Sequence, residues 1–221
     1  MSVEEKSDGR SVQLKHVRLS FTNSLKEKEA TVKDGKPKHT FNVILEAGDP
    51  NFEANKAKVI GAMKAACDKK WKNPDAYKGI QEDNPKRVCF RKGERFKSQE
   101  GKIYAGYEGN LGISCGCPNG GQSRPKLLDR HKRPVEENDI LDVMYGGSYA
   151  DVILSFYGTD EGGRGLFCTG DAIRSHQQGD RMGGGIYVDA DDFDDIEDDD
   201  SFDSGPSTSS QSKASSDDFD I

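Results

Sequence analysis

The sequence predicts a mainly β domain, an antiparallel barrel or sandwich, that carries one long amphipathic helix and ends in an acidic tail. Three observations lead there. Short apolar runs recur between glycine-rich turns along most of the chain. The stretch after Asp49-Pro50 instead keeps a three- and four-residue apolar repeat. Finally, the charge changes sign near Asp189. The chain holds 32 Lys+Arg and 39 Asp+Glu, a formal net of −7. Residues 189–221 contain 13 acidic residues and one basic residue, Lys213, a net of −12. Residues 1–188 therefore hold 31 basic and 26 acidic residues, a net of +5.

In chain order, "VQLKHVRLSF" alternates through Val12 and Leu14, slips at Lys15-His16, and resumes through Val17, Leu19 and Phe21. That parity slip predicts a bulged strand or two short ones. "TFNVILEA" alternates through Phe41, Val43 and Leu45, with the turn signal "KDGKP" before it, so the two segments predict a hairpin. Asp49 is placed to cap a helix whose first position is Pro50. Phe52, Val59, Ile60, Met63, Ala66, Cys67 and Trp71 then form one apolar stripe, with Lys56, Lys58, Lys64 and Lys69 behind it. "KNPDAYKGIQEDNP" reads as a loop. Strands follow in "RVCF", "KIYAGYEGNLGISCGC", "RPKLLD", "GGSYADVILSFYG" and "GRGLFCTGDAIR", and "QQGDRMGGG" is a hinge. Residues 1–188 are one domain by length, and 189–221 a disordered acidic tail by composition.

No run of 18 apolar residues is present, and the N-terminus "MSVEEKSDGR" has no apolar signal region, so a cytoplasmic location is expected, with no membrane partner. The five scattered cysteines read as reduced thiols. Cys115 and Cys117 lack the second cluster that a structural zinc site needs. On a strand they share a face with Ile113, which makes them small buried apolar residues. No metal or cofactor is expected. Four histidines, none in a nucleophile–base arrangement, and the absence of G-x-x-x-x-G-K-[ST] and H-E-x-x-H argue against an enzyme.

Basic residues interleaved with aromatics stand out instead. "FRKGERFKSQEGKIYAGYEG" holds Arg91, Lys92, Arg95, Lys97 and Lys102 beside Phe96, Tyr104 and Tyr107. "SRPKLLDRHKRP" adds Arg124, Lys126, Arg130, Lys132 and Arg133. Cations that track phosphates and rings that stack on bases are what a single-stranded nucleic-acid groove requires. The tail sets Phe193, Phe202 and Phe219 among aspartates, a pattern better suited to anchoring a partner than to solubility.

The order "VRLSFTN", "HTFNVILEAGDPNF", "SRPKLLD" and "MYGGSYADVILSFYGTDEGGRGLFCTGDAIRSHQQGDRMGGG", followed by an acidic end, resembles the phage single-stranded DNA-binding proteins, a group once filed as a domain of unknown function and related to the replication protein of short-tailed phages. The resemblance spans about residues 12–185. It implies a five-stranded antiparallel OB-fold barrel, sequence-independent binding of single-stranded DNA, and a role in replication and recombination. It also implies a tail that contacts a polymerase, helicase/primase or nuclease, and a homodimer in some members. Asp217, Asp218, Phe219, Asp220 and Ile221 match the partner-binding end. An RNA-binding or RNA-chaperone OB module and a non-nucleic-acid adaptor are the alternatives.

Overall fold

The computed structural model describes residues 7–30 and 35–182; the acidic tail, including Asp217 to Ile221, lies outside the described residues. Seven strands form one sheet: β1 (Ser11–Ser20), β2 (Thr40–Leu45), β3 (Phe90–Lys92), β4 (Leu111–Gly116), β5 (Lys126–Leu128), β6 (Tyr149–Thr159) and β7 (Gly165–Gln177), in the order β3-β4-β2-β1-β6-β7-β5. A further pairing joins β4 to β7, Cys115 opposite Cys168 and Gly116 opposite Thr169. The pairings β1-β2-β4-β7-β6 therefore run in a cycle of five, with β3 attached to β4 and β5 to β7.

This corrects the five-stranded, wholly antiparallel expectation. Two strands are added, and the β4–β7 and β5–β7 pairings are parallel. The cause lies in connectivity. β7 runs antiparallel to its hairpin partner β6, and its other edge receives strands that arrive by long excursions. Along that edge the Val88 bridge meets Leu166, β4 meets Cys168 and Thr169, and β5 meets Ala172 to Arg174.

β1 and β2 pair antiparallel, Leu19 opposite Val43, as their alternation predicts. The parity slip in β1 is a bulge, with the β1–β6 register shifting between Leu14 and Val17. His16 sits there at φ 50°. Two buried side chains hold the bulge open. Asn55 accepts from the Lys15 backbone N–H at 3.1 Å and donates to the Lys15 carbonyl at 2.7 Å. Asp151 accepts from the His16 N–H at 3.0 Å and pairs with Arg174. Asn55→Ala is expected to lower stability by about 1–3 kcal/mol, because both Lys15 backbone groups lose their partner away from water. A denaturant midpoint unchanged from wild type would contradict this.

Helix α1 runs Phe52–Trp71, two residues later than the Asp49 cap predicts. Asp49 instead accepts from the Asn51 backbone N–H and side-chain amide, turning the chain before the helix starts. The buried stripe of α1 is Asn55, Val59, Ala62, Met63, Ala66 and Cys67, packed against β6 and β1. The helix ends at Lys72, which adopts the left-handed conformation at φ 57°. A second helix, α2 (Ala76–Asp83), replaces the expected loop. Its single apolar turn buries Ile80, with Ala76 and Tyr77 packed on the same core. One such turn between Pro74 and Pro85 gives too short a repeat to read from sequence.

The main core gathers Leu14, Phe41, Val43, Ile113, Val152, Leu154, Phe156 and Ile173 of the strands with Val59, Met63 and Cys67 of α1. Phe41 lies so close over β7 that a Cβ on Gly170 would meet its ring at 2.2 Å. All five cysteines are buried and unpaired by disulfides. Cys115 of β4 and Cys117, just past its end, join Ile113 in the main core, each 3% exposed or less. No helix among the described residues is long and apolar enough to cross a membrane.

Candidate nucleic-acid interface

In β2, Phe41, Val43 and Leu45 face the main core, which leaves Asn42 and Ile44 on the other side of the strand. The segment from Gly93 to Asn110 folds back over that side. Gly93 N–H donates to the Asn110 carbonyl at 2.8 Å, and Tyr104 N–H to the Phe96 carbonyl at 3.0 Å. Phe96 and Tyr107 stack with centroids 4.5 Å apart and form a small separate core with Ile44, flanked by Ile103 and Met182. Gly112 of β4 makes room for it, since a Cβ there would meet the Phe96 ring at 2.4 Å.

Phe96 is 6% exposed and Tyr107 fully buried. Both were expected as base-stacking faces, and this corrects that expectation. The two rings fasten the loop to the sheet and present no face to a base. The Tyr107 hydroxyl accepts from Asn42 at 2.9 Å, and burial pushes its pKa up to about 12. Tyr104 is exposed, as is Lys102 in the same loop.

The cations from "FRKGERFK" converge. Arg91, Lys92, Arg95 and Lys97, with Lys86, Pro85 and Glu94, line a depression of about 770 Å³. Arg91 is the anchored member. Its guanidinium donates to Ser114 Oγ at 2.8 Å and lies 4.5 Å from the Phe96 ring centroid. Its Nε is buried without a hydrogen-bond partner, and burial lowers its pKa from the usual guanidinium value. Lys92, Arg95 and Lys97 are exposed. The one carboxylate, Glu94, is turned to the Gly109 N–H at 2.9 Å. The result is a shallow surface of fixed and mobile cations, suited to an extended polyanion.

Tyr104 faces a neighbour that the sequence did not nominate. Phe21 packs edge-on against it with centroids 4.9 Å apart. Strand alternation places Phe21 in the core with Val17 and Leu19. The chain instead turns at Phe21 with φ 53° and leaves its ring 47% exposed. Lys86 was also missed, because it lies in a short turn (Pro85–Arg87) just ahead of the basic-aromatic segment that begins at Phe90.

The second basic group is not brought to this depression. Arg124 pairs with Glu137 and donates to the Lys26 carbonyl. Lys126 is exposed on β5. Arg130 lines a different hollow, of about 410 Å³, with Asp129, His131, Arg133 and His176. No lining residue is shared between the two. Among the described residues, no group of three or more His, Cys, Asp or Glu is placed to hold a metal ion.

The family model for the single-stranded DNA-binding protein of Enterobacter phage Enc34 matches residues 10–203. The chain belongs to the Enc34 phage single-stranded DNA-binding protein family. It is 30% identical over 186 residues to protein p50 of Acyrthosiphon pisum secondary endosymbiont phage 1, covering 83% of this chain and 92% of that protein. Among solved structures, the single-stranded DNA-binding protein from bacteriophage Enc34 in complex with ssDNA superposes with a TM-score of 0.61 at 16% identity, over 79% of this chain and 90% of that one. The same Enc34 protein without the complex gives 0.59 at 16% identity, over 83% and 89%. At that identity the superposition establishes a shared fold: Enc34-family architecture, mainly β with a seven-stranded mixed sheet. The family match covers the cationic depression and the Phe21–Tyr104 pair, which both fall inside residues 10–203.

Proposed function

We propose that the chain is a non-enzymatic single-stranded DNA-binding protein of phage replication and recombination. DNA lies along the depression of Lys86, Arg91, Lys92, Arg95 and Lys97, and a base meets Tyr104 and Phe21. The observation that carries this reading is the convergence of five cations on one depression, with Tyr104 of an exposed aromatic pair carried on the same 93–110 segment as Arg95 and Lys97. The family match and the Enc34 protein's complex with ssDNA support it. We read the five-strand cycle, with its parallel β4–β7 junction, as an OB-type barrel, a fold that binds oligonucleotides on one sheet face and adjoining loops. Lys102 contributes from the loop tip. Lys126 and Arg130 act, if at all, away from the depression.

The tail restrains binding and recruits replication proteins in this reading. Its net charge of −12 opposes the +5 of residues 1–188 and competes with phosphate, and Phe219 in "DDFDI" is its anchor for a partner. Gel shifts with thymidine, mixed-sequence, duplex and RNA oligonucleotides over a salt series test the whole. Single-stranded DNA is expected to bind without sequence preference. The slope of log K against log salt should be about −0.7 for each phosphate contact. Deleting residues 189–221 should raise affinity most at low salt, where charges act over the longest range. Salt-independent binding, or a preference for duplex or RNA, would sink the reading. An unchanged affinity after the deletion would reduce the tail to a solubility device.

A further inference from the structure

Among the described residues three large apolar side chains are exposed: Phe21, Tyr104 and Tyr157. The first two belong to the site above, and Tyr157 does not. It stands on β6, 44% exposed, directly across from Phe167 of β7. The two rings lie 6.2 Å apart at 39°. A cation backs Phe167, since the Arg87 guanidinium is 5.4 Å from its ring centroid. That guanidinium is fixed by three carbonyls of the β6–β7 turn: Arg164 at 2.8 Å, Glu161 at 2.8 Å and Gly163 at 2.6 Å. Gly165 lets the Phe167 ring fold close to the backbone, because a Cβ there would meet it at 2.5 Å. The turn's Asp160 is compensated by Lys70 and Arg164, leaving Glu161 as its other carboxylate.

The patch adjoins the cationic depression through the chain itself. Lys86 lines the depression, and the next residue, Arg87, lies on Phe167. Val88 then bridges to Leu166, and Cys89 N–H donates to the Leu166 carbonyl at 2.9 Å. A strand lying over Lys86 thus has a pre-ordered, cation-backed ring beside it. Stacking on such a ring needs no particular base.

We infer that Tyr157, backed by Phe167 and Arg87, is a second base-stacking station for the same single strand, reached from the depression past Lys86. The inference rests on the single-stranded DNA reading above. Its test compares wild type, Tyr157→Ala and Tyr157→Phe on two ligands of equal length, a thymidine oligonucleotide and an abasic deoxyribose-phosphate oligomer. Tyr157→Ala should weaken thymidine binding about 5- to 150-fold and leave abasic binding unchanged. Tyr157→Phe should match wild type on both. Equal thymidine affinity in wild type and Tyr157→Ala would overturn the station while leaving the depression intact. Equal losses on both ligands would overturn it too, by showing an effect that does not involve bases. Failure of wild type to bind thymidine at all would instead sink the parent reading. A change in the sedimentation of the free protein on Tyr157→Ala, with thymidine affinity kept, would assign the ring to contact between copies.

Discussion

Reversing the charge at Arg95 and Lys97 together, Arg95→Glu with Lys97→Glu, is expected to lower affinity for single-stranded DNA about 100-fold at about 50 mM salt. Both side chains are exposed at the rim of the depression, so folding should be untouched. Two lost phosphate contacts should also flatten the salt slope by about 1.4. The two readouts separate a true contact from a general charge effect. A double variant at Lys126 and Arg130 changes net charge equally but lies outside the depression, and should move the affinity far less. If the two double variants weaken binding alike, net charge and not the depression governs the interaction. If neither does, the interface is elsewhere.

Gly93→Ala is expected to detach the loop that carries the site. The reason is space. A Cβ at Gly93 would stand 1.7 Å from the Tyr107 carbonyl oxygen and 2.9 Å from that of Asn110. These atoms are backbone and cannot rotate away. The 93–110 segment must lift, and with it go the buried Phe96–Tyr107 stack and the positions of Arg95 and Lys97. The cost should reach or exceed the roughly 1–3 kcal/mol typical of overpacking, with a large loss of DNA affinity in the same protein. Gly79→Ala supplies the contrast. Gly79 is helical and a Cβ there meets nothing within 4 Å, so the change should stabilise the protein by about 0.5–1 kcal/mol. Wild-type stability and affinity in Gly93→Ala would show that the loop is not held in this way.

Period-two alternation exposed β1 with its bulge, β2 and β6, because burial on one face imposes that period residue by residue, whereas of the strand expected in "KIYAGYEGNLGISCGC" only Leu111–Gly116 forms. The same rule failed at Phe21, where the chain adopts a left-handed turn and the ring leaves the core. It could not sort the aromatics of the 93–110 loop, which has no period. There the decisive features are non-local: Gly112 gives room for Phe96, and Asn42 provides a partner for the Tyr107 hydroxyl. Composition could therefore name the loop as basic and aromatic, and only the fold could tell Tyr104 from Tyr107. The parallel pairings were equally hidden, since nothing in "SCGC" or "FCTG" states which edge Cys115 will meet. Charge fared better at close range. Arg91 to Lys97 are near in sequence and stayed together, while "SRPKLLDRHKRP" followed β5 to another hollow.

The junction of β4 with β7 has a consequence for the birth of the molecule. β7 is the last of the described strands to be synthesised, and it completes the cycle that β1 begins. Ser11 and Ser155, hydrogen-bonded neighbours, are 144 positions apart. On the ribosome, β1, β2 and β4 can assemble early, but β4 then waits with its Cys115 edge unpaired until Thr169 has emerged. Loop closure over such separations is slow, so folding should fall in the millisecond-to-second range of non-local β proteins. Until then the nascent chain exposes an open, apolar strand edge, the feature most prone to pairing with another chain. In a cell making many copies at once, the dangerous interval for this protein is the time between translating Cys115 and translating Cys168.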